Sequence, residues 1–197
     1  MGYCMKFIKG GAMEIGRELS ELDAFAIDFI KTLRKHTKYA IVSGYVSILL
    51  GRARSSEDID IIIPRAGFPE FVLLFRELYK KGFYCLNSDN EKEAYGYVRD
   101  GIAVRFAKKG KVIPNIELKF SKNRIDEISL KDTLKVRLGK EELVISGLEM
   151  QVAFKENVLK SPKDIEDAMH IRNVTGNNLS RELIEKYSVM LRGFYRR

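Results

Sequence analysis

Between Ser43 and Ile63 the chain reads SGYVSILLGRARSSEDIDIII, and this stretch constrains the fold more than any other. It opens at the end of the apolar run Tyr39–Ser43 (YAIVS), a short strand of buried character, and passes through Gly44 into a helix, Tyr45–Leu50, closed by Gly51. The polar loop Arg52–Glu57 then leads into a second strand, Asp58–Ile63, ended by Pro64. Alternate side chains of a strand share a face, so Asp58 and Asp60 point together while Ile59, Ile61 and Ile63 face a core. Two carboxylates side by side at the start of a buried strand repel each other. A hard divalent cation, Mg²⁺ or Mn²⁺, is the usual partner that offsets this cost.

The run Val112–Phe120 repeats the arrangement. Ile116, Leu118 and Phe120 form one face and leave Asn115, Glu117 and Lys119 on the other. Glu117 on a neighbouring strand would complete a two-metal site of the kind that clamps the attacking and leaving oxygens of a phosphoryl transfer. Asp126, Glu127 and Glu93 are alternative third acids. Gly44 allows backbone amides to approach a phosphate, and Arg52 and Arg54, in the loop before the acids, are placed to steady a triphosphate.

Around this stretch the pattern alternates between helix and strand. Ser20–His36 sets Leu22, Phe25, Ala26, Phe29, Ile30 and Leu33 on one helical stripe, and Phe68–Lys81 carries a similar one that Gly82 stops. Ala94–Arg99 and Ile102–Ala107 flank Asp100-Gly101, which reads as a hairpin. Thr133–Leu138 and Glu142–Ile145 read as a strand pair. From Gly147 the spacing turns helical, over Leu148–Leu159, Pro162–Val174 and Arg181–Leu191, with Ser161, Pro162 and Asp164 as a capping signature. The expected fold class is α/β (α+β): a core of mixed β-sheet with flanking helices over residues 1–146, and a small C-terminal helical bundle over residues 147–197 packed on it.

The apolar fraction of 45% supports a packed core, and the charged fraction of 31% sits at the level of globular rather than disordered chains. No apolar run approaches the roughly 20 residues that span a bilayer, and the N-terminus lacks the form of a secretory signal, so a cytoplasmic location without membrane partners is expected. Two cysteines and two histidines, all scattered, argue against a structural zinc site or a disulfide framework. The net charge of +8 favours a polyanionic partner.

The stretch from Ser43 resembles the signature of the polymerase-β-like nucleotidyltransferases: a glycine turn, a helix, Asp-x-Asp, and a later single acid. Ser43-Gly44-Tyr45, Gly51, Arg54, Ser56 and Asp58-Ile59-Asp60 resemble most the small prokaryotic antitoxin-like and abortive-infection-type branch, and Lys163-Asp164-Ile165-Glu166-Asp167 is similar to a Lys-Asp-x-x-Asp helix of that branch. The resemblance implies that Asp58 and Asp60 hold both metals and that Glu117 holds the catalytic one beside the attacking hydroxyl. It implies further that Ser43, Gly44 and Ser47 face the triphosphate of an NTP. Ser43 departs from the family, where glycine usually stands.

The implied activity moves a nucleoside monophosphate from an NTP to a hydroxyl of an RNA (transfer RNA included) or a protein, releasing pyrophosphate. The competing readings are a non-catalytic nucleotide-binding or antitoxin-like module and a basic RNA-binding protein. Arg52 and Arg54 as plain loop charges, and Lys155, Lys163 and Asp164 as helix-packing residues, are the structural alternatives to nucleotide contact. Tyr45, Tyr95 and Tyr97 are either base-stacking or core residues. Lys119, Lys122, Arg124, Lys131, Lys135, Arg137 and Lys140, with the tail Arg192, Arg196 and Arg197, form the candidate surface for nucleic acid.

Overall fold

The computed structural model describes residues 4–8, 11–54 and 58–195; Ser56, Arg196 and Arg197 lie outside them. The chain opens with a hairpin, β1 (Cys4–Ile8) and β2 (Ala12–Gly16), followed by α1 (Glu21–Leu33), β3 (Ala40–Val42), α2 (Gly44–Leu49) and β4 (Asp58–Ile63). Next come α3 (Phe68–Lys80), β5 (Phe83–Cys85), α4 (Glu91–Arg99), β6 (Val104–Lys108) and β7 (Asn115–Phe120). The remainder is α5 (Arg124–Lys131), β8 (Thr133–Leu138), β9 (Glu141–Ser146), α6 (Leu148–Phe154), α7 (Pro162–Thr175) and α8 (Arg181–Tyr195). A single π turn, Lys155–Leu159, extends α6.

The strands form one mixed sheet in the order β1-β2-β8-β9-β3-β4-β7-β6-β5. At its centre β3 runs antiparallel to β4, and β4 runs parallel to β7. The register aligns Ile41 with Ile61 and Ile61 with Leu118, and Phe106 with Ile116, so one face is continuously apolar. Phe29 of α1 meets Phe83 and Phe106, while Phe71 and Phe75 of α3 meet Phe120 and Phe106. Each such side chain, fully buried, contributes about 1.5–3 kcal/mol of transfer free energy, which fixes this layer against that face. The opposite face, which carries the acids, is partly roofed by α5 and α6.

Local signals explain the helix starts. Ser20 caps α1 by accepting from the Asp23 N–H, and Asp23 reciprocates on the Ser20 N–H, a complete capping box. Ser161 caps α7 with Pro162 in its first turn, as the sequence indicates.

Several elements differ from expectation. Ala94–Arg99 is the body of helix α4, not a hairpin strand: the Asn90 side chain caps the Lys92 and Glu93 N–H groups, Ala94 and Val98 are buried one turn apart, and Gly101 at φ 84 ends the helix. β7 begins at Asn115 rather than Val112, since Pro114 has no N–H to give a ladder. The N-terminal hairpin, β5 and α5 add elements that periodicity did not reveal.

Candidate active site

The parallel register of β4 and β7 sets Asp58 against Asn115, Asp60 against Glu117 and Ile62 against Lys119. Val42 of β3 lies against Asp60 from the other side, and Arg105 of β6 lies against Glu117. The two strands therefore bring Asp58, Asp60 and Glu117 onto one face, half-buried, with Lys119 beside them. Burial raises the Asp60 pKa, and the charge of Asp58 adds to it, against the pull of Lys119, the Ser43 hydroxyl and Lys155. Glu117 is raised by burial, then by Asp60 and Asp58, against Arg105 and Lys119. Among the described residues, no group of three or more His, Cys, Asp or Glu side chains is arranged to hold a metal ion as it stands. The acids are in electrostatic contact without their oxygens converging on one point. An all-carboxylate donor set, strained by its own charge, fits a hard divalent cation.

Ser43 follows β3 with φ 63 and ψ −139, a conformation that L side chains rarely adopt and glycine takes freely. The turn it makes delivers its hydroxyl toward Asp60. Gly44 follows, and a Cβ there would stand 2.9 Å from Nη2 and 3.1 Å from Cζ of Arg54. Glycine is needed at this position because a guanidinium packs flat against the backbone. Ser47 is completely buried, and its hydroxyl has no hydrogen-bond partner among the described residues, so it stands away from the open face.

Arg52 and Arg54 converge on α7. Nη1 of Arg54 donates to Oδ2 of Asp167 at 2.5 Å, and Arg52 pairs with Oδ1 of the same carboxylate, with Glu166, and with the Lys163 carbonyl at 3.0 Å. The third cation on Asp167 is Lys155, buried on the π turn, whose Nζ donates at 2.8 Å. Asp167 is itself fully buried. Burial acts to raise its pKa, but the hydrogen bonds and charges of Lys155, Arg52 and Arg54 prevail and hold it below the usual range. Lys155 also lies 3.6 Å from Asp164. A buried carboxylate shared by three cations holds the Arg52–Arg54 segment against the C-terminal helices. The sequence marks Asp167 only as part of the Lys163–Asp167 motif; its three partners come from distant segments.

The other candidates stand elsewhere. Glu93 accepts from the Ser88 hydroxyl at 2.7 Å on α4, Glu127 is exposed on α5, and Asp126 accepts the Lys122 N–H at 3.0 Å. Tyr45 is buried and donates to Asp23 at 2.7 Å, and Tyr95 packs among Phe68, Phe71 and Phe120. Both are core residues. Tyr97 is exposed on α4. Lys122, Arg124, Lys131, Lys135, Arg137 and Lys140 are exposed, though Lys135 and Arg137 pair with Glu142, and Arg192 pairs with Glu185. No helix among the described residues is long and apolar enough to cross a membrane.

No protein-family model matches the chain, and no curated protein matches it in sequence. Solved structures do match. ANT(2")-Ia in complex with adenylyl-2"-tobramycin is 13% identical, covers 90% of this chain and 99% of its own, and superposes with a TM-score of 0.54. An antigenic nucleotidyltransferase-like protein from Paracoccidioides brasiliensis is 17% identical over 90% and 91% of the two chains, with a TM-score of 0.49. The solution structure of the antibiotic-resistance factor ANT(2'')-Ia is 14% identical over 88% and 92%, with a TM-score of 0.48. The likeness singles out no branch. A mixed sheet flanked by helices, with helices at its C-terminal end, is the fold that this chain shares with ANT(2")-Ia.

Proposed function

We propose that the chain is a metal-dependent nucleotidyltransferase that moves a nucleoside monophosphate from an NTP to a hydroxyl, with pyrophosphate as the other product. The observation that carries this reading is the register of Asp60 with Glu117, beside Asp58, on two parallel strands. These three acids would hold Mg²⁺ or Mn²⁺, which when bound offsets the charge developing on the phosphoryl oxygens. Glu117 faces the position of the acceptor oxygen, whose proton leaves as its bond to the α-phosphorus forms and the α–β bridge breaks.

The triphosphate lies along the Ser43–Gly44 turn. Arg54 stands over that turn with one nitrogen committed to Asp167, and its buried Nε has no partner among the described residues. A guanidinium carries five N–H donors, so the latch to Asp167 orients Arg54 without exhausting it. Arg52 supports the loop and adds positive field. Ser47, being buried, acts through packing. Positioning and electrostatics of this kind supply most of the rate in phosphoryl transfer.

An RNA acceptor is favoured over a protein by the exposed Lys122 and Arg124, which continue from Lys119 on the strand of Glu117. Incubation with each α-labelled NTP, Mg²⁺ and fractionated cell RNA or protein tests the reaction. Transfer of label to one fraction supports it. NTP binding with no transfer to any acceptor would favour a non-catalytic nucleotide-binding module, including one of the antitoxin-like kind. For RNA, binding should weaken with a log–log salt slope of about −0.7 per phosphate contacted.

A further inference from the structure

The segment that leads from α1 into β3 gathers positive charge at the other end of β3 from the acids. Arg34, Lys35, His36 and Lys38, with the hydroxyls of Thr37, Tyr39 and Thr133, line an open cleft of about 490 Å³ against α5 and β9. No carboxylate among the described residues lines it. Tyr39 precedes β3 and Ser43 follows it, so about 13 Å of extended chain separates the cleft from the triphosphate turn.

Much of this charge has no counterpart. Lys35 and His36 share Glu77, at 3.1 and 2.6 Å, but Arg34 and Lys38 pair with no carboxylate among the described residues. The negative end of α1 offsets about half an elementary charge, less than these two cations carry. Tyr39 supplies the second observation. It is only 7% exposed, and the Val144 N–H donates to its hydroxyl oxygen at 3.1 Å, while its own proton has no acceptor among the described residues. Burial pushes the phenol up to about 12, against the Val144 N–H and the charge of Arg34, so it remains a donor at neutral pH. Glu142, whose charge also reaches that hydroxyl, is engaged by Lys135 and Arg137. A donor so deeply buried is almost always paired.

The cleft thus presents a guanidinium fork, an ammonium and hydroxyl donors. A carboxylate would be satisfied by Arg34 alone. A terminal phosphate group carries a charge of about −1.5 to −2 at pH 7 and three acceptor oxygens, which matches two unpaired cations and the Tyr39 proton. We propose that this cleft is a second anion site, apart from the acids, that takes the terminal phosphate of a free phosphorylated molecule or of an RNA end. Arg34 engages two of its oxygens, Tyr39 donates to the third, and Lys38 supplies charge.

The test titrates the full chain with inorganic pyrophosphate by calorimetry, in chelator so that no metal holds the anion at the acids. The native chain should bind it at one saturable site. The double variant Arg34→Gln, Lys38→Gln should weaken this at least about tenfold and Tyr39→Phe about three- to tenfold. Tyr39→Phe keeps the ring in the core and serves if the double variant does not fold. Lys92→Gln, which removes an exposed charge on α4, should change nothing. A 5′-phosphorylated oligoribonucleotide and its 5′-hydroxyl twin tell the sources apart: a preference for the phosphorylated strand that Tyr39→Phe erases assigns an RNA end, and equal binding assigns a free phosphorylated molecule. Absence of saturable pyrophosphate binding, binding that survives the substitutions, or an equal loss in Lys92→Gln overturns the site. Loss of the NTP-and-Mg²⁺ thermal shift in folded cleft variants overturns its separation from the acids.

Discussion

Glu117 stands opposite Asp60 in the β4–β7 register, and its carboxyl is raised by burial first and by the negative charge of Asp60 second. Asp60 is raised as well. A carboxyl raised in the folded state favours folding below its ordinary value, 3.8 for Asp and 4.5 for Glu, and that contribution is lost as pH rises through the raised value. The metal-free protein should therefore carry a charge strain at neutral pH. Asp60→Asn or Glu117→Gln should melt higher than the native chain at pH 7, by a few degrees, and the gain should shrink toward pH 4. Melting curves in chelator across that range check it; a loss of stability at pH 7 in both variants would contradict it.

Ser43 holds a positive φ that suits glycine, and its hydroxyl faces Asp60. Ser43→Ala keeps the backbone strain and loses the hydroxyl, while Ser43→Gly loses the hydroxyl and relieves the strain. The glycine variant should be the more stable of the two by about 1 kcal/mol or more. Denaturant unfolding of the pair isolates the backbone term, because the change at Asp60 is common to both.

Asp167 pairs with Arg52, Arg54 and Lys155 inside the protein. Asp167→Asn leaves those cations without their shared anion and should cost about 3–5 kcal/mol, read as a lower urea midpoint. The Asp167 pKa lies below its ordinary value of 3.8, so its contribution is complete above that pH and is lost as pH falls through the depressed value. Acid unfolding that proceeds identically in the native chain and Asp167→Asn would show that the network carries little.

Gly44 and Arg54 are coupled by contact rather than by charge. Gly44→Ala places a methyl against a guanidinium that Asp167 holds still. The substitution should be markedly less costly in an Arg54→Ala background, with an interaction energy in the range of about 0.5–3 kcal/mol found for touching residues. Additive effects in the double-mutant cycle would mean that Arg54 moves aside freely.

The centre of the fold was legible because its signals are local. Asp-Ile-Asp-Ile-Ile-Ile followed by proline fixes both the strand and its two faces, and β4 has the bounds the sequence indicates. Alternation likewise gave Glu117 its side of β7. α4 was misread because Tyr95 and Tyr97 alternate like a strand and Asp100-Gly101 mimics a hairpin turn. The Asn90 cap with acids at positions 91 and 93 was the better signal. The Asp167 network was not legible at all. Arg52 and Arg54 lie 115 and 113 residues from their shared carboxylate, and no periodicity reports a contact of that range.

The metal-and-nucleotide site is tested most directly by the thermal shift that NTP and Mg²⁺ produce together, in the native chain and in the double variant Asp58→Asn, Asp60→Asn. A ligand present at one hundred times its Kd stabilises the folded state by about 2.7 kcal/mol, and about 1 kcal/mol moves the Tm of a domain this size by roughly 2–4 °C. The native chain should show a rise of that order with NTP and Mg²⁺ and a smaller one with NTP alone. The double variant, checked to be folded by circular dichroism, should show none. An equal shift in the two proteins would place nucleotide binding somewhere other than the Asp58–Asp60–Glu117 face.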